Sequence, residues 1–194
     1  VVAWPRLLVE RGYRTGLVGK WHLGLDEQFH PSKFGYQYFM GFLEGGVKPK
    51  DPRLVVDGRL QQAAGFAVDL VGDDAVRFLQ QARDRPFALS VHFREPHAPY
   101  APLPEPEAQF AAALKPTIPN PDFPSLDVEA VRKFMCEYLG SVAAVDRNVG
   151  KILAELDRRK MAENTLVIYT SDHGYNLGHH GVRHKGNGSW ILTK

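Results

Sequence analysis

Residues 4–24 read WPRLLVERGYRTGLVGKWHLG, and this stretch places a helix, a strand and a loop in direct succession. Pro5 suits a first helical turn and Gly12 suits a helix end, which predicts a short helix over residues 4–11. Residues 13–18 mix aromatic, β-branched and apolar side chains, as strands do, and a glycine at each end brackets the loop that follows. This succession is typical of an α/β protein.

The same alternation continues along the chain. Apolar residues at helical spacing predict helices over residues 67–82 and 128–156, and short apolar runs predict strands over residues 87–93 and 165–171. A local strand within residues 34–43 and a tight hairpin over residues 54–60, which contains Asp57-Gly58, are also expected. The nine prolines between residues 96 and 124 exclude regular helix there and predict an extended surface connection. We therefore expect an α/β fold with a mostly parallel central sheet flanked by helices, with residues 1–194 in one domain.

Composition excludes several classes of protein. Among the 194 residues, Lys and Arg number 24 against 22 Asp and Glu, and the signs are interspersed, so neither a nucleic acid nor a membrane surface is an expected partner. No apolar run approaches the roughly 20 residues of a membrane-spanning helix. The single Cys136 excludes a disulfide scaffold and is interpreted as a packing residue. Because the chain starts at Val1 and stops soon after a motif-rich loop, we interpret it as an internal piece of a longer protein, incomplete at both ends.

Three predicted strands each end in a small cluster of titratable side chains. These clusters are Lys20 with His22, Arg94 with His97, and Asp172 with His173. In open parallel sheets, ligands bind beyond the carboxyl ends of the strands, so the clusters are expected to form one site. Lysines supply fixed positive charge and histidines exchange protons near neutral pH, and this lining suits a tetrahedral oxyanion.

Simpler interpretations exist for each of these residues. The histidines between His173 and His184 can be solvated loop residues, and a zinc site is disfavoured because adjacent His179 and His180 lack the spacing that presents two rings to one ion. Lys20 can be a surface lysine, and Arg94 can simply pair with Glu95 or another acid at the surface. For Trp21 and Tyr100, the simpler interpretation is that their aromatic side chains pack in the protein interior.

The motifs in this order resemble the type I sulfatases. Residues 12–24 are similar to that family's second signature, and residues 96–99, 170–174 and 184–187 are similar to its later active-site blocks. The helix and strand that contain Asp146, Gly150 and residues 164–167 resemble the family as well, so the resemblance spans essentially the whole chain. It implies an alkaline-phosphatase-like fold and hydrolysis of sulfate esters at a calcium-centred site, with Mg2+ as the alternative ion.

The resemblance also implies roles for individual residues. Lys20 and Lys185 would hold sulfate oxygens, and His97 would contact sulfate and protonate the leaving alcohol. His22 would assist breakdown of the covalent sulfate hemiacetal. Arg94, Tyr100, His179 and His180 would line the neighbourhood, with Arg94 as the candidate substrate ligand. Asp172 and His173 would bind the metal, His173 being the weaker ligand because calcium prefers oxygen.

One part of the family pattern is missing. The nucleophile of such enzymes is a formylglycine made from a cysteine or serine in Cys-x-Pro/Ala-x-Arg, and an early Asp pair also binds the metal. Cys136 is followed by Glu137 and Tyr138, so it is not that nucleophile. We expect the nucleophile outside this chain, and the isolated chain to be inactive.

Two other functions stay open. One is a phosphodiesterase or phosphonate hydrolase of the same superfamily, because sulfate and phosphate share a tetrahedral shape. The other is a non-catalytic anion-binding or metal-binding relative. The sequence specifies neither the ester nor the oligomeric state, and only family habit suggests a periplasmic, secreted or lysosomal protein.

Overall fold

The computed structural model describes residues 2–82 and 85–185, which contain four α-helices and five β-strands. In order they are α1 (Trp4–Glu10), β1 (Arg14–Lys20), β2 (Tyr38–Phe42), β3 (Arg53–Val56), β4 (Arg59–Gln62), α2 (Ala67–Gln81), β5 (Phe87–His92), α3 (Glu105–Ala113) and α4 (Val128–Arg158). Short 3-10 turns lie at Glu27–Phe29, Pro31–Phe34, Ala162–Asn164 and His179–Gly181. The α/β prediction is confirmed. Gly186 and Asn187 of the last motif lie outside the described residues.

The five strands form one mixed sheet in the order β4-β3-β2-β1-β5. Strand β1 runs parallel to both of its neighbours, β2 and β5, whereas β3 and β4 add an antiparallel hairpin at one edge. The hairpin turn is Asp57-Gly58, both at positive φ, as the predicted two-residue turn requires. Because β1, β2 and β5 are parallel, their carboxyl ends lie at the same edge of the sheet.

Helices cover the sheet in layers. On one face, α2 packs against the sheet through Val71, in a cluster whose buried strand residues are Val18, Met40, Phe42 and Leu54. Helix α4 packs against α2, where Val68 meets Ala144 and Val145. The opposite face buries Leu17, Trp21 and Tyr36, and Trp4 of α1 contacts the Tyr36 ring edge-on at 6.0 Å. None of the described helices is both long and apolar enough to cross a bilayer.

Helix α2 approaches β1 closely because Gly16 carries no side chain. A Cβ at Gly16 would lie 2.5 Å from a ring carbon of Phe78, which is fully buried. Any larger residue would push the helix from the sheet, since buried rings have no space into which to move. The glycine at position 16 is therefore what allows α2 to pack directly against β1.

The connection after β5 contains a helix that the proline count excluded, so that prediction was wrong. Helix α3 has proline only before it, at Pro104, and in its first turn, at Pro106. A proline in the first turn costs no intrahelical hydrogen bond. The next proline is Pro116, so residues 107–115 are free to continue the helix.

The predicted strand over residues 165–171 was also wrong. Residues 165–170 have no regular structure, and Leu166, Ile168 and Tyr169 are 85%, 76% and 76% exposed. A strand needs a neighbouring strand for its backbone hydrogen bonds, and no described strand pairs with this segment. The apolar run alone did not indicate whether such a neighbour is present.

Candidate functional site

Lys20 and the residues that follow β5 leave the sheet side by side. Gly19 is paired with His92 across the parallel β1–β5 ladder, and Lys20 is the last residue of β1. The His92 ring nitrogen Nδ1 lies 2.9 Å from the Lys20 carbonyl oxygen. The first two predicted clusters therefore share one edge of the sheet, as the parallel arrangement required.

Gly19 makes this close pairing possible. Its φ of +109° belongs to a region that side chains rarely adopt, and a Cβ there would clash with the carbonyl oxygen of His92 and lie 2.8 Å from its carbonyl carbon. Both atoms belong to the backbone of the adjacent strand. The glycine at position 19, within the signature of residues 12–24, is thus explained by the close approach of β1 and β5 at the point where Lys20 emerges.

Arg94 does not face the solvent. Its side chain is 1% exposed and forms an ion pair with Glu95, which is 5% exposed. Nη1 donates to the carbonyl oxygens of His97 and Pro99 at 2.8 and 2.9 Å. The pairing with Glu95 that the sequence allowed is present, but it is buried rather than superficial, and it leaves Arg94 no surface that a substrate could contact.

His97 is held in one tautomer by its own loop. Its amide donates to the Arg94 carbonyl at 2.9 Å, and its Nδ1 lies 2.6 Å from the Ala98 carbonyl oxygen. A carbonyl oxygen only accepts, so Nδ1 carries the proton and Nε2 is left for a ligand. Burial lowers the pKa of His97 below its usual value; the hydrogen bond to Ala98 opposes this, and Lys185 and Lys20 lower it further.

Lys20 lies in the same electrostatic environment as four of the other predicted site residues, namely Arg94, His97, Asp172 and Lys185. Burial lowers the pKa of its ammonium group, Lys185 lowers it further, and Asp172 raises it. Charges affect one another in this way only over short distances, because water and salt screen them within about 10 Å. Lys20 therefore shares its electrostatic surroundings with His97, Asp172 and Lys185, and in those surroundings two lysine charges stand against one carboxylate.

Asp172 and His173 interact with each other. The His173 amide donates to Asp172 Oδ1 at 2.8 Å, which lowers the pKa of that carboxyl, and His173 Nε2 lies 3.5 Å from Asp172 Oδ2. The Asp172 side chain is 84% exposed. Calcium takes about 6–8 oxygen ligands. No group of three acidic, histidine or cysteine side chains with metal-site geometry occurs within residues 2–82 and 85–185, so these residues do not by themselves fit a calcium site.

His22 occupies a different position from the others. It is exposed, has φ of +59°, and its amide donates to the Leu43 carbonyl at 3.0 Å. Its ring lies against Gly45, where a Cβ would come within 2.6 Å of Nε2. In the part of the chain that is described, no contact joins its ring to Lys20 or His97.

Tyr175 contacts the His97 loop of the candidate site, which the sequence did not indicate. Its hydroxyl accepts a hydrogen bond from the Ala98 amide at 3.2 Å, and its ring meets the His97 ring edge-on with centroids 6.4 Å apart. Its position directly after residues 170–174 was the only available signal. The packing alternative is confirmed for Trp21 and Tyr100, which are 8% and 2% exposed.

His179 and His180 lie on an exposed 3-10 turn. The His180 amide donates to Asn120 Oδ1 at 3.0 Å, which ties this turn to the connection before α4. Among the described residues, neither the His179 nor the His180 side chain contacts Lys20 or His97. These two histidines therefore stay only candidates for substrate recognition.

Comparison with known proteins identifies one family. The sulfatase family model matches residues 3–193. The chain is 26% identical to N-acetylglucosamine-6-O-sulfatase of Bacteroides thetaiotaomicron, covering 92% of this chain and 45% of that protein, and 30% identical to N-acetylgalactosamine-6-sulfatase of Canis lupus familiaris, covering 88% and 32%. It thus spans a third to somewhat under half of the length of these curated relatives.

Solved structures show the same likeness. The crystal structure of Ps i-CgsB in complex with k-i-k-neocarrahexaose has a TM-score of 0.69 and 26% identity, covering 83% of this chain and 37% of that one. The yidJ protein of Bacteroides fragilis has a TM-score of 0.75 at 22% identity, covering 93% and 45%, which is a likeness of fold.

Proposed function

This chain belongs to the sulfatase family, and on that basis we propose that the full-length protein hydrolyses sulfate esters and that this chain supplies the cations that hold the sulfate group. The observation that supports the proposal is that Lys20 and the loop of His97 leave the sheet at the same edge, beyond the paired ends of β1 and β5, and that Lys185 lowers the pKa of both groups. Fixed positive charge at the end of rigid strands is what a tetrahedral anion with developing negative charge requires.

In this proposal the two lysines and the histidine have different tasks. Lys20 and Lys185 bind sulfate oxygens and offset the charge that develops as the ester bond breaks. His97 presents Nε2 to the ester. Because the pKa of His97 lies below its usual value, the ring is mostly neutral until the anion binds and favours its protonated form, which then donates to the leaving oxygen. The family resemblance alone assigns His22, whose ring has no described contact with Lys20 or His97, to the later release of sulfate.

The attacking group and the complete metal site are also part of the proposal. We expect a formylglycine nucleophile from another part of the protein, since Cys136 lies inside α4 with Sγ 3.7 Å from the Leu114 carbonyl oxygen. Asp172 would contribute one carboxylate to a calcium site whose other ligands come from elsewhere. The names of the relatives include sulfatases of N-acetylated amino sugars, so a sulfated sugar is the first substrate class to test.

The test compares two esters and two variants. The full-length protein is assayed on an aryl sulfate and on the matching aryl phosphate, and we expect higher kcat/KM for the sulfate. Lys20→Met should lower kcat/KM on the order of 10²- to 10³-fold, because it removes a charge that acts in the transition state. The control is Lys115→Met at an exposed lysine, which should keep the wild-type rate.

The alternatives have distinct results. A preference for the phosphate ester would support the phosphodiesterase alternative. Hydrolysis of neither ester, together with tight sulfate binding, would support the non-catalytic relative. Wild-type activity in Lys20→Met would remove Lys20 from the site.

A further inference from the structure

Arg94 holds together the loop that carries His97. Its guanidinium makes four hydrogen bonds inside residues 94–99, two to Glu95 Oε1 and one each to the carbonyl oxygens of His97 and Pro99. The Ala98 carbonyl, which accepts from His97 Nδ1, lies between the two carbonyls that Arg94 binds. The direction of the imidazole ring therefore depends on a backbone segment that Arg94 holds at both ends.

One carboxylate oxygen of the buried Arg94–Glu95 ion pair lacks a hydrogen-bond partner among the described residues. Glu95 Oε2 is buried and has no hydrogen-bond partner in the described chain, and the same is true of Tyr100 Oη and Ser141 Oγ. All three residues line one cavity of about 10 Å³. That volume is close to what a single water requires, and three polar partners are the usual number for a buried water. A water there would complete the solvation that a buried carboxylate needs.

We propose that Arg94, Glu95 and one water bound among Glu95, Tyr100 and Ser141 form a buried network that positions the His97 imidazole, so that Arg94 is a positioning residue and not a substrate ligand. The inference rests on the proposed function in so far as His97 contacts the sulfate ester. It replaces the sequence-based expectation that Arg94 binds substrate, because each hydrogen bond that its guanidinium makes within residues 2–82 and 85–185 is internal to the loop.

Lysine is the informative replacement for Arg94. It keeps the positive charge beside Glu95 but has a single ammonium group in place of a planar fork with five donors. Lys at this position cannot bind a carboxylate and two carbonyl oxygens in the same directions. Arg94→Lys therefore removes the hydrogen bonds that fix the loop and leaves the net charge of the site unchanged.

The first measurement is a double-mutant cycle with His97 in the full-length protein. Arg94→Lys should lower kcat on the order of 10- to 100-fold, the cost of a misplaced catalytic group, with KM changed less than about threefold. When His97→Ala is already present, adding Arg94→Lys should change kcat less than about threefold, because the residue through which it acts is gone. Arg147→Lys, which weakens another salt bridge cluster with Asp69 and Glu107, should reduce thermal stability and leave kcat unchanged.

Two kinetic outcomes would overturn the proposal. Equal losses of kcat from Arg94→Lys with and without His97 would show a purely structural role. A raised KM with unchanged kcat would show that Arg94 is a substrate ligand after all. If Arg94→Lys does not fold, Tyr100→Phe keeps the ring and removes one partner of the water, and the same non-additivity with His97 is expected at a smaller loss.

A second measurement does not depend on turnover. Nitrogen-15 spectra of histidine-labelled full-length protein report which ring nitrogen of His97 carries the proton. We expect the Nδ1–H tautomer in the wild type, and in Arg94→Lys a ratio near that of an unstructured histidine peptide. If the wild type hydrolyses no sulfate ester, the proposed function fails, but an unchanged tautomer in Arg94→Lys is what would overturn the positioning role.

Discussion

Replacement of Gly19 by alanine tests the link between the fold and the site. The backbone at this position has φ of +109°, which costs a residue with a side chain about 1–3 kcal/mol. The new Cβ would also clash with the His92 carbonyl group, and overpacking of this kind costs about 1–3 kcal/mol more. We therefore expect Gly19→Ala to lower the free energy of unfolding by about 2–6 kcal/mol, a large share of the usual stability of about 5–15 kcal/mol.

The assay is urea-induced unfolding of the wild-type protein and of the Gly19→Ala variant, monitored by tryptophan fluorescence. Gly150→Ala is the matched control, because Gly150 is an exposed glycine inside α4 with no atom near its missing Cβ. It should raise the free energy of unfolding by about 0.5–1 kcal/mol, the gain of alanine over glycine in a helix. A Gly19→Ala protein within about 0.5 kcal/mol of wild type would refute the close β1–β5 pairing that positions Lys20.

Three further predictions concern the charges of the site. Lys185→Ala should reduce kcat of the full-length protein on the order of 10²-fold or more, measured on an aryl sulfate, and a wild-type rate would exclude Lys185 from the reaction. Sulfate affinity should fall as pH rises above the lowered pKa of His97 in the free protein, by at most about tenfold per pH unit, because the bound anion favours a proton on His97. Calorimetry at several pH values measures this, and a pH-independent affinity, or the same slope in His97→Gln, would contradict it. The 194-residue chain should bind calcium more weakly than about 1 mM, since Asp172 supplies one carboxylate; tight binding in a titration would show a ligand set beyond those described.

Local patterns predicted most of the fold. The helix before β1, the hairpin at Asp57-Gly58 and the long α4 were predicted because turn chemistry and helical periodicity depend on neighbours within a few residues. Strand β5 was predicted for the same reason. Helix α3 was missed because the proline count ignored where the prolines stand within the segment.

The failures at the site have a different cause. The burial of the Arg94–Glu95 pair is a product of tertiary packing, in which the distant Ser141 lines the same cavity as Glu95, so the sequence showed that Arg94 could pair with Glu95 but not that the pair is buried. The contact of Tyr175 with Ala98 is likewise a product of tertiary packing. By contrast, the proximity of Lys20 to the loop of His97 followed from parallel strand topology alone.

A crystal structure of the full-length protein with bound sulfate tests the central claim most directly. We expect one sulfate ion with oxygen atoms in hydrogen-bond contact with Lys20 Nζ, Lys185 Nζ and His97 Nε2, beyond the carboxyl end of β1. A sulfate bound elsewhere, with these three side chains pointing to separate faces of the protein, would contradict the account.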